Sequence, residues 1–315
     1  MVYVLRELFG VKQETFNVAN VVIGGLPGVN PALLVGSIFY LGDKLLLSPK
    51  GDFSRQHAKD VIEKAIDLAN SYCLGFGLDV VFNTIESVEK ILPFVAEYEI
   101  PLFLDSPDPG IRIKAYAMAK ELGISSKCIA NGVDVSTKKE ELDAIKEAGI
   151  AATVIFAFDP RDPYASIMPE NRIKIVKEKL LPTIYDNGLK NVIVDAIVID
   201  PASIALSAET IFLVKKELGL PTGCAPANAL GSVSKKNFSI EEVTGIHSSI
   251  AVMLRLYGAD VIMYGPVKRI KYVASAIATI DGLLGYLARQ ARIEIQRKHP
   301  IRTLLKKIQK LFAQS

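Results

Sequence analysis

Residues 101–107 of the chain have the sequence PLFLDSP, and residues 128–132 have the sequence CIANG. Both are short apolar runs of the length of a buried β-strand, and each is closed by a polar side chain, Asp105 or Asn131. Upstream, residues 88–95 carry apolar side chains at i, i+3, i+4 and i+7, which is the spacing of one helix face. The pattern therefore predicts a helix, then a strand, then a polar loop.

Apolar runs of this kind recur eight times along the chain. Their starts lie about 34 residues apart on average, enough for one strand, one helix and two loops. This alternation favours the α/β class and a (β/α)8 TIM barrel. An open doubly wound sheet is the alternative, but it usually has fewer strands and a G-x-G-x-x-G motif, which this sequence lacks. The predicted barrel strands are residues 21–23, 78–82, 102–104, 128–130, 153–156, 192–194, 221–224 and 261–263.

The predicted barrel domain comprises residues 1–285, and residues 286–315 are predicted to form a basic C-terminal helical tail. Within the domain, residues 1–20 are expected to form a hairpin that closes the lower mouth of the barrel. Two capping boxes, Thr137 with Glu140 and Ser239 with Glu242, predict the starts of two helices.

The charge of the chain is unevenly distributed. The net charge is +3, but eight Lys or Arg and a single acidic residue follow from position 289 onward. A nucleic-acid-binding protein usually spreads basic residues over a folded face, so this distribution excludes nucleic acid as the expected partner of the body. The body has the composition of a soluble enzyme.

Composition also limits compartment and metal content. The longest nearly apolar run, residues 32–41, is about half of the ~20 residues that a membrane-spanning helix needs, and no secretion signal opens the chain. The three cysteines have unrelated spacings, which favours neither a disulfide framework nor a zinc cluster. The sequence therefore predicts a cytoplasmic protein with no metal site.

Polar residues follow four of the predicted strands: Asp105, Asn131, Asp195 and Asn228. In a TIM barrel the carboxyl ends of the strands meet at one mouth, so these side chains are expected to converge there. No nucleophile or metal motif accompanies them. Carboxylates and amides without a nucleophile suit the recognition of a neutral heterocycle with adjacent N–H donors, such as a pterin.

Several stretches resemble a known family. They are residues 24–31 (GGLPGVNP), residues 36–40 (GSIFY), residues 103–106 (FLDS), and Val194-Asp195 with Pro201. They are similar to the H-subunit family of tetrahydromethanopterin S-methyltransferase over residues from about 10 to 285. The resemblance implies a pterin-binding barrel related to methyltetrahydrofolate:corrinoid protein methyltransferases, and more distantly to dihydropteroate synthase.

The resemblance implies roles for the four polar residues. Asp105, Asn131, Asp195 and Asn228 match the positions that contact the pterin ring, and Asp105 and Asn228 are the predicted catalytic residues. The implied reaction moves a methyl group between N5 of tetrahydromethanopterin or tetrahydrofolate and the cobalt of a corrinoid, as in the one-carbon metabolism and methanogenesis of archaea. We expect Asp195 to accept from the exocyclic amine and N3–H of the ring, and Asn228 to approach N5.

The corrinoid (cobalamin) is expected to arrive on a partner protein, because the chain has no D-x-H-x-x-G motif. A homodimer is a further expectation. Residues 300–312 form a basic amphipathic pattern, for which the sequence leaves four partners open: the chain's own barrel, a symmetric neighbour, an acidic protein and an anionic membrane. The protein is expected to be cytoplasmic, and the resemblance implies peripheral attachment to a membrane-bound complex as an alternative.

Two other functions remain open at this point. A dihydropteroate synthase-like enzyme would keep the pterin, but the sequence has no clear Lys and Arg pair for a phosphate at the expected strand ends. A non-catalytic barrel subunit of a methyltransferase complex would bind the corrinoid protein and no pterin.

Overall fold

The computed structural model describes residues 9–234 and 236–314. Eight parallel strands, β3 to β10, form a closed barrel, and β1 and β2 form a separate antiparallel hairpin. The strands are β1 (Thr15–Val18), β2 (Val21–Gly24), β3 (Leu33–Ile38), β4 (Gly75–Val81), β5 (Leu102–Asp105), β6 (Cys128–Val133), β7 (Ala152–Phe156), β8 (Val192–Asp195), β9 (Thr222–Cys224) and β10 (Val261–Pro266).

Helices alternate with the barrel strands and cover the outside of the barrel. They are α1 (Arg55–Tyr72), α2 (Ile85–Val95), α3 (Pro109–Glu121), α4 (Lys139–Ala148), α5 (Pro169–Ile175), α6 (Leu181–Asp186), α7 (Ser203–Leu213), α8 (Ile240–Tyr257), α9 (Ile270–Gln290) and α10 (Leu304–Phe312). The boundary predicted between residues 285 and 286 lies inside α9.

The predicted (β/α)8 barrel is confirmed, but its first strand was wrong. The run at residues 21–23 belongs to the hairpin strand β2, and the first barrel strand is β3. The left-handed backbone at Gly24, with φ of +99°, turns the chain away at the end of β2, where a Cβ would lie 2.4 Å from the Glu14 carbonyl oxygen. The hairpin lies at the amino-terminal end of the barrel, where Glu14 N–H donates to the Gly219 carbonyl (2.8 Å) ahead of β9. The predicted hairpin at residues 1–20 is thus shifted to residues 15–24, and residues 1–8 lie outside the described part.

The two predicted capping boxes had different outcomes. Ser239 Oγ accepts from Glu242 N–H (3.1 Å), and the Glu242 carboxylate accepts from Ser239 N–H (2.7 Å), so this box is confirmed at the start of α8. The box of Thr137 and Glu140 is wrong, because α4 begins at Lys139. Thr137 Oγ1 instead accepts from Asp134 N–H (2.9 Å) and closes a local turn, a competing use of a short polar side chain.

Strand alternation sorts the core into two regions. One hydrophobic cluster lies between the strands and the helices, and a second fills the inside of the barrel. The inner cluster takes alternate residues of each strand, because side chains two apart point to the same face. Its members on the strands include Leu33, Val35, Phe103, Ile129, Ala152, Val154, Ile193, Val261 and Met263. Toward the carboxyl ends of the strands, polar residues occupy the inward-facing positions instead of apolar ones.

Helix α9, with the turn before it, passes the length and composition test for a membrane span. It is the helix Val267–Gln290, with a mean hydropathy of 1.2 over the 18-residue window, and 56% of that window is buried in the protein. The buried face packs on α8 and on the barrel, so its apolar residues are those of a covering helix.

A buried ion pair fixes this helix to the barrel. Asp281 of α9 accepts from Arg255 Nε (2.6 Å) with one oxygen and from Ala32 N–H (2.8 Å), next to β3, with the other. Arg255 also donates to the carbonyl of Asn30 (2.7 Å). Both side chains are almost completely buried. One pair therefore holds α8, α9 and the start of β3 together.

We expect Asp281→Ala to lower the free energy of unfolding by about 2–4 kcal/mol, because it removes the nearer carboxylate from the buried Arg255 guanidinium and leaves it only Asp260, at 3.7 Å. Glu97→Ala is the control, since it breaks an ion pair with Arg55 whose side chains are both more than half exposed. That loss should stay below about 1 kcal/mol. Chemical denaturation measures both, and equal losses would contradict the role assigned to Asp281.

Candidate active site

Four acidic or amide side chains form a polar layer at the carboxyl ends of neighbouring barrel strands. Asp79 of β4, Asp105 of β5, Asn131 of β6 and Asp195 of β8 each lie two residues after an inward-facing position of their strand. Asn131, Asp195 and Asp79 are buried, with 5–6% of their surface exposed, and Asp105 is partly exposed. The predicted residues Asp105, Asn131 and Asp195 thus lie in one layer at one mouth of the barrel.

Asp79 was not identified from the sequence. Its carboxylate accepts from Asn131 Nδ2 (3.4 Å), and the hydroxyl of Ser37, which pairs with it across β3 and β4, is a second donor. Asp79 stands in the middle of an apolar strand, as Asp195 does, and that anomaly is the signal that would have identified it.

Asp79 and Asp105 are a coupled pair of carboxyl groups. Burial, and then the negative charge of Asp79, raises the pKa of Asp105 to about 8. Burial also raises the pKa of Asp79 to about 6, against the hydrogen bonds from Ser37 and Asn131. At neutral pH the pair therefore holds a proton, mainly on Asp105.

The Asn131 amide is only half satisfied. Its Nδ2 donates to Asp79, but its Oδ1 is buried and has no hydrogen-bond partner among the described residues. A buried acceptor without a donor costs about 1–3 kcal/mol. An N–H group of a ligand in the mouth would remove that cost.

A backbone N–H group orients the Asp195 carboxylate. Its Oδ1 accepts from Ile197 N–H (2.7 Å), and Ile197 has a φ of +52°, in the left-handed region. The fully buried Arg172 fixes this turn by donating to the carbonyls of Ala196, Ile197 (2.9 Å) and Ser166 (2.9 Å). Burial raises the pKa of Asp195 to about 6, opposed by the Ile197 hydrogen bond and the Arg172 charge. The carboxylate is thus oriented and largely ionised at neutral pH.

Asn228 lies apart from this hydrogen-bonded group. It ends the 3-10 turn Pro226–Asn228 after β9, its side chain is exposed, and it forms no side-chain hydrogen bond with a described residue. Its neighbour Ala227 packs beside Gly265 at the end of β10, where a Cβ on the glycine would lie 3.0 Å from the alanine Cβ. Asn228 therefore lies at the expected end of the barrel, without a side-chain hydrogen bond to the other three residues.

A cleft of about 600 Å³ opens beside Asp105. It runs between the loops that follow β5 and β6, with Ser106, Gly132 and Lys138 among its lining residues. Phe156 of β7, also missed from the sequence, lines the same cleft and pairs with Asp195 across β7 and β8. The polar layer is therefore bordered by one aromatic ring and an open cleft large enough for part of a ligand.

No group of three or more His, Cys, Asp or Glu among residues 9–234 and 236–314 is arranged to hold a metal ion. The three cysteines are free thiols, and burial raises the pKa of Cys128 to about 12. The arrangement therefore offers hydrogen-bond acceptors and one exchangeable proton, and the described residues provide no metal ligand set.

A family model described as tetrahydromethanopterin S-methyltransferase MtrH subunit matches residues 11–296. The chain belongs to this family. The H subunit of this methyltransferase from Methanosarcina mazei is 25% identical over 94% of this chain and 99% of that protein. The H subunit from Methanopyrus kandleri is 28% identical over 92% of this chain and 97% of that protein. The resemblance found in the MtrH-like stretches is thereby confirmed.

Solved structures similar to this MtrH family member include dihydropteroate synthases. The Yersinia pestis enzyme with a pterine-sulfa conjugate has a TM-score of 0.60 and 10% identity, over 86% of this chain and 99% of that chain. The Thermus thermophilus enzyme has a TM-score of 0.57 and 14% identity, over 86% of this chain and 100% of that chain. Similarity at this level of identity shows the fold, a (β/α)8 barrel.

Because the pKa of Asp105 is raised in the folded protein, the free energy of unfolding should depend on pH. A carboxyl group whose folded pKa lies above its unfolded value of about 4 favours the fold at low pH, and that contribution is lost as the pH rises through the folded value, about 8. Asp105→Asn removes the charge, so we expect it to raise the free energy of unfolding at pH of about 9 by about 1–3 kcal/mol and to change it little at pH of about 4.

Denaturation of both proteins across this pH range measures the difference. Asp67→Asn is the control, because Asp67 is an exposed aspartate on α1. A stability gain that is the same at both pH values would contradict a pKa shift as the cause.

Proposed function

We propose that this member of the MtrH family transfers a methyl group between N5 of a tetrahydropterin and the cobalt of a corrinoid held by a partner protein. The observation that carries this proposal is the acceptor-rich polar layer at the mouth of the barrel. The family membership and the methyltransferase names of the relatives support the reaction class.

The pyrimidine edge of a reduced pterin offers an exocyclic amine and an N3–H, both donors. Asp195 accepts only the Ile197 N–H among the described residues, so its other oxygen is available to these donors. The unpaired Oδ1 of Asn131 is a further acceptor in the same layer. Hydrogen bonds to a charged group contribute about 1.5–3 kcal/mol each. We therefore assign ring binding to Asp195 and Asn131, with Asp79 orienting the Asn131 amide.

The reaction needs a proton donor for N5, and we assign this role to Asp105. When the methyl group moves from N5 to cobalt, the N5–C bond breaks, and the cobalt supplies the electron pair of the new Co–C bond. N5 keeps the electron pair of the broken bond and must gain a proton. Asp105, with a pKa raised to about 8, holds a proton at neutral pH and is the donor in this proposal. In the reverse direction the N5 lone pair attacks the methyl group, and Asp105 recovers the proton.

Asn228 stays a predicted catalytic residue of this reaction. Its amide is exposed after β9, at the end of the barrel where the hydrogen-bonded layer lies. Its assignment rests on the resemblance between the sequences.

We infer that the pterin is tetrahydromethanopterin or tetrahydrofolate, since both present the same ring edge to Asp195. The relatives are each named as one subunit of a methyltransferase, which supports a role within a complex. In that complex a corrinoid (cobalamin) protein would approach the open mouth. The homodimer and a cytoplasmic location at the surface of a membrane complex stay predictions from the sequence.

The alternative of a dihydropteroate synthase-like reaction rests on fold similarity at 10–14% identity. Membership in the MtrH family favours methyl transfer over it. The third possibility, a barrel subunit without chemistry, is decided by measuring pterin binding and Co–methyl formation.

Ring binding is tested by titrating the protein with methylated and unmethylated tetrahydromethanopterin and tetrahydrofolate, following binding by calorimetry. We expect Asp195→Asn to weaken binding of the preferred pterin by about 10–100-fold, because it removes a charge-assisted pair of hydrogen bonds. Asp67→Asn should bind as the wild type does. Unchanged affinity in the Asp195 variant would refute the assigned ring site, and a wild type that binds no pterin would favour the scaffold.

The proton donor is tested through the rate of Co–methyl formation from methylated pterin and reduced cobalamin, followed by absorbance. We expect this rate to fall as the pH rises through about 8, because the protonated fraction of Asp105 falls. Asp105→Asn should lower the rate by about 100-fold and remove that pH dependence. An unchanged pH profile in the variant would exclude Asp105 as the acid, whatever the change in rate.

A further inference from the structure

A second cleft, of about 510 Å³, lies at the C-terminal end of α9, and its lining includes four arginines. None of the four forms a salt bridge with a described residue, although Glu294 also lines the cleft. The four are Arg289, Arg292, Arg297 and Arg302. We call this cleft, together with α10, the basic end. Guanidinium groups gathered without carboxylate partners repel one another, so the cleft favours an anionic occupant.

The basic end lies at the opposite side of the barrel from Asp105. Helix α9 starts after the carboxyl end of β10 and runs back along the barrel, so Arg289 in its last turn is at the amino-terminal side. The chain that follows is fixed there, since Gln296 N–H donates to the Val29 carbonyl (3.2 Å), ahead of β3. The buried His299 Nε2 contacts the Gly28 carbonyl oxygen at 3.0 Å. A partner bound at the basic end would leave the mouth of the barrel accessible.

The apolar face of helix α10 is packed against the protein in its first turn and exposed to solvent further along. In its first turn, Leu304 packs against the main core and Leu305 lies next to Gly282 of α9, so both are half-buried. Further along the same face, Ile308 is 47% exposed and Leu311 is 60% exposed. The first turn of the tail therefore docks on the chain's own barrel, one of the four partners that the sequence leaves open.

The opposite side of α10 is basic. Lys306, Lys307 and Lys310 lie away from the apolar face at helical spacing. A helix with an apolar stripe beside lysines suits the interface of a bilayer, in which the apolar residues enter and the lysine side chains reach the headgroups.

The basic end also extends beyond the part of the chain shared with the family. The family model ends at residue 296, before Arg297, Arg302 and α10. The shared reaction therefore does not account for these residues.

We propose that the basic end binds an anionic lipid bilayer, with lipid phosphates in the arginine cleft and the exposed stripe of α10 at the headgroup boundary. Arginine matches phosphate oxygens with two parallel N–H donors, which suits this cleft. A second copy of the chain is a poor occupant, because eight Lys or Arg from position 289 onward would face eight others. The proposal is independent of the pterin site, which lies at the other end.

The test uses the full chain in sedimentation with vesicles of neutral phosphatidylcholine, alone or mixed with anionic phosphatidylglycerol. We expect binding to the anionic vesicles only, and release as salt is raised through the physiological range. Binding to neither vesicle, or equal binding to both, would overturn the proposal.

Two variants test the parts of the surface. Arg289→Gln with Arg292→Gln should weaken binding by about 25-fold, from the loss of two charges near an anionic surface. The control Lys50→Gln with Lys236→Gln removes two exposed charges from the loops after β3 and β9, at the opposite end of the barrel, and should weaken it far less. If both pairs weaken binding equally, net charge rather than the arginine cleft binds the lipid, and the site is wrong.

Ile308→Ser with Leu311→Ser should weaken binding by at least about tenfold, because the apolar stripe is lost. Leu47→Ser in the loop after β3, a leucine exposed to a similar extent (69%) at the opposite end of the barrel, is the control. Circular dichroism and thermal denaturation of each variant check that the fold persists. If the α10 variant instead changes the oligomeric state in solution and leaves vesicle binding unchanged, the surface is a contact between copies.

Discussion

The structure depends on a constraint of the closed barrel, which turns alternate residues of each strand inward and stacks them in layers. The lower layers are apolar and pack as a core, while the uppermost layer consists of carboxyl and amide groups. The strand geometry that buries Phe103 also places Asp105 two residues later at the mouth. Burial without a directly bonded cation then raises the pKa values of Asp79, Asp105 and Asp195. The chemistry of the mouth is therefore a direct result of the packing below it.

The contrast with the rest of the molecule supports a functional reason for this layer. Elsewhere buried charges have direct partners: Asp281 binds Arg255, Lys215 binds Asp260 at 2.9 Å, and Glu141 binds Arg112. These pairs join elements distant in sequence, and they hold the shell of helices around the barrel. The polar layer has no such compensation, and the Asn131 Oδ1 has no donor at all among the described residues. The layer therefore lacks the counter-charges that these three pairs have, which favours a ligand-binding role for it.

The two ends of the barrel thus have different chemistry. The carboxyl ends of the strands carry hydrogen-bond acceptors and a protonated carboxyl group, whereas the amino-terminal end, with the cleft beside Arg289, carries fixed positive charge. Because α9 spans the distance between them, binding at one end does not obstruct the other. This separation would let the proposed lipid contact and the proposed partner protein occupy the molecule at the same time.

The sequence by itself determined the eightfold alternation, because strand and helix have different apolar periods that local residues display. It also determined that Asp105, Asn131 and Asp195 follow strands, and therefore that they meet at one mouth. The first strand was misassigned, since residues 21–23 and the longer run at β3 are both apolar, and only pairing with β4 and β10 distinguishes them. Asp79 and Phe156 were decided by the tertiary structure, as was the separation of Asn228. Whether a side chain points into a closed barrel depends on the register between strands that are distant in sequence. The burial of Asp79 and Asp105, the proton they hold and the unpaired Oδ1 of Asn131 depend on the same register.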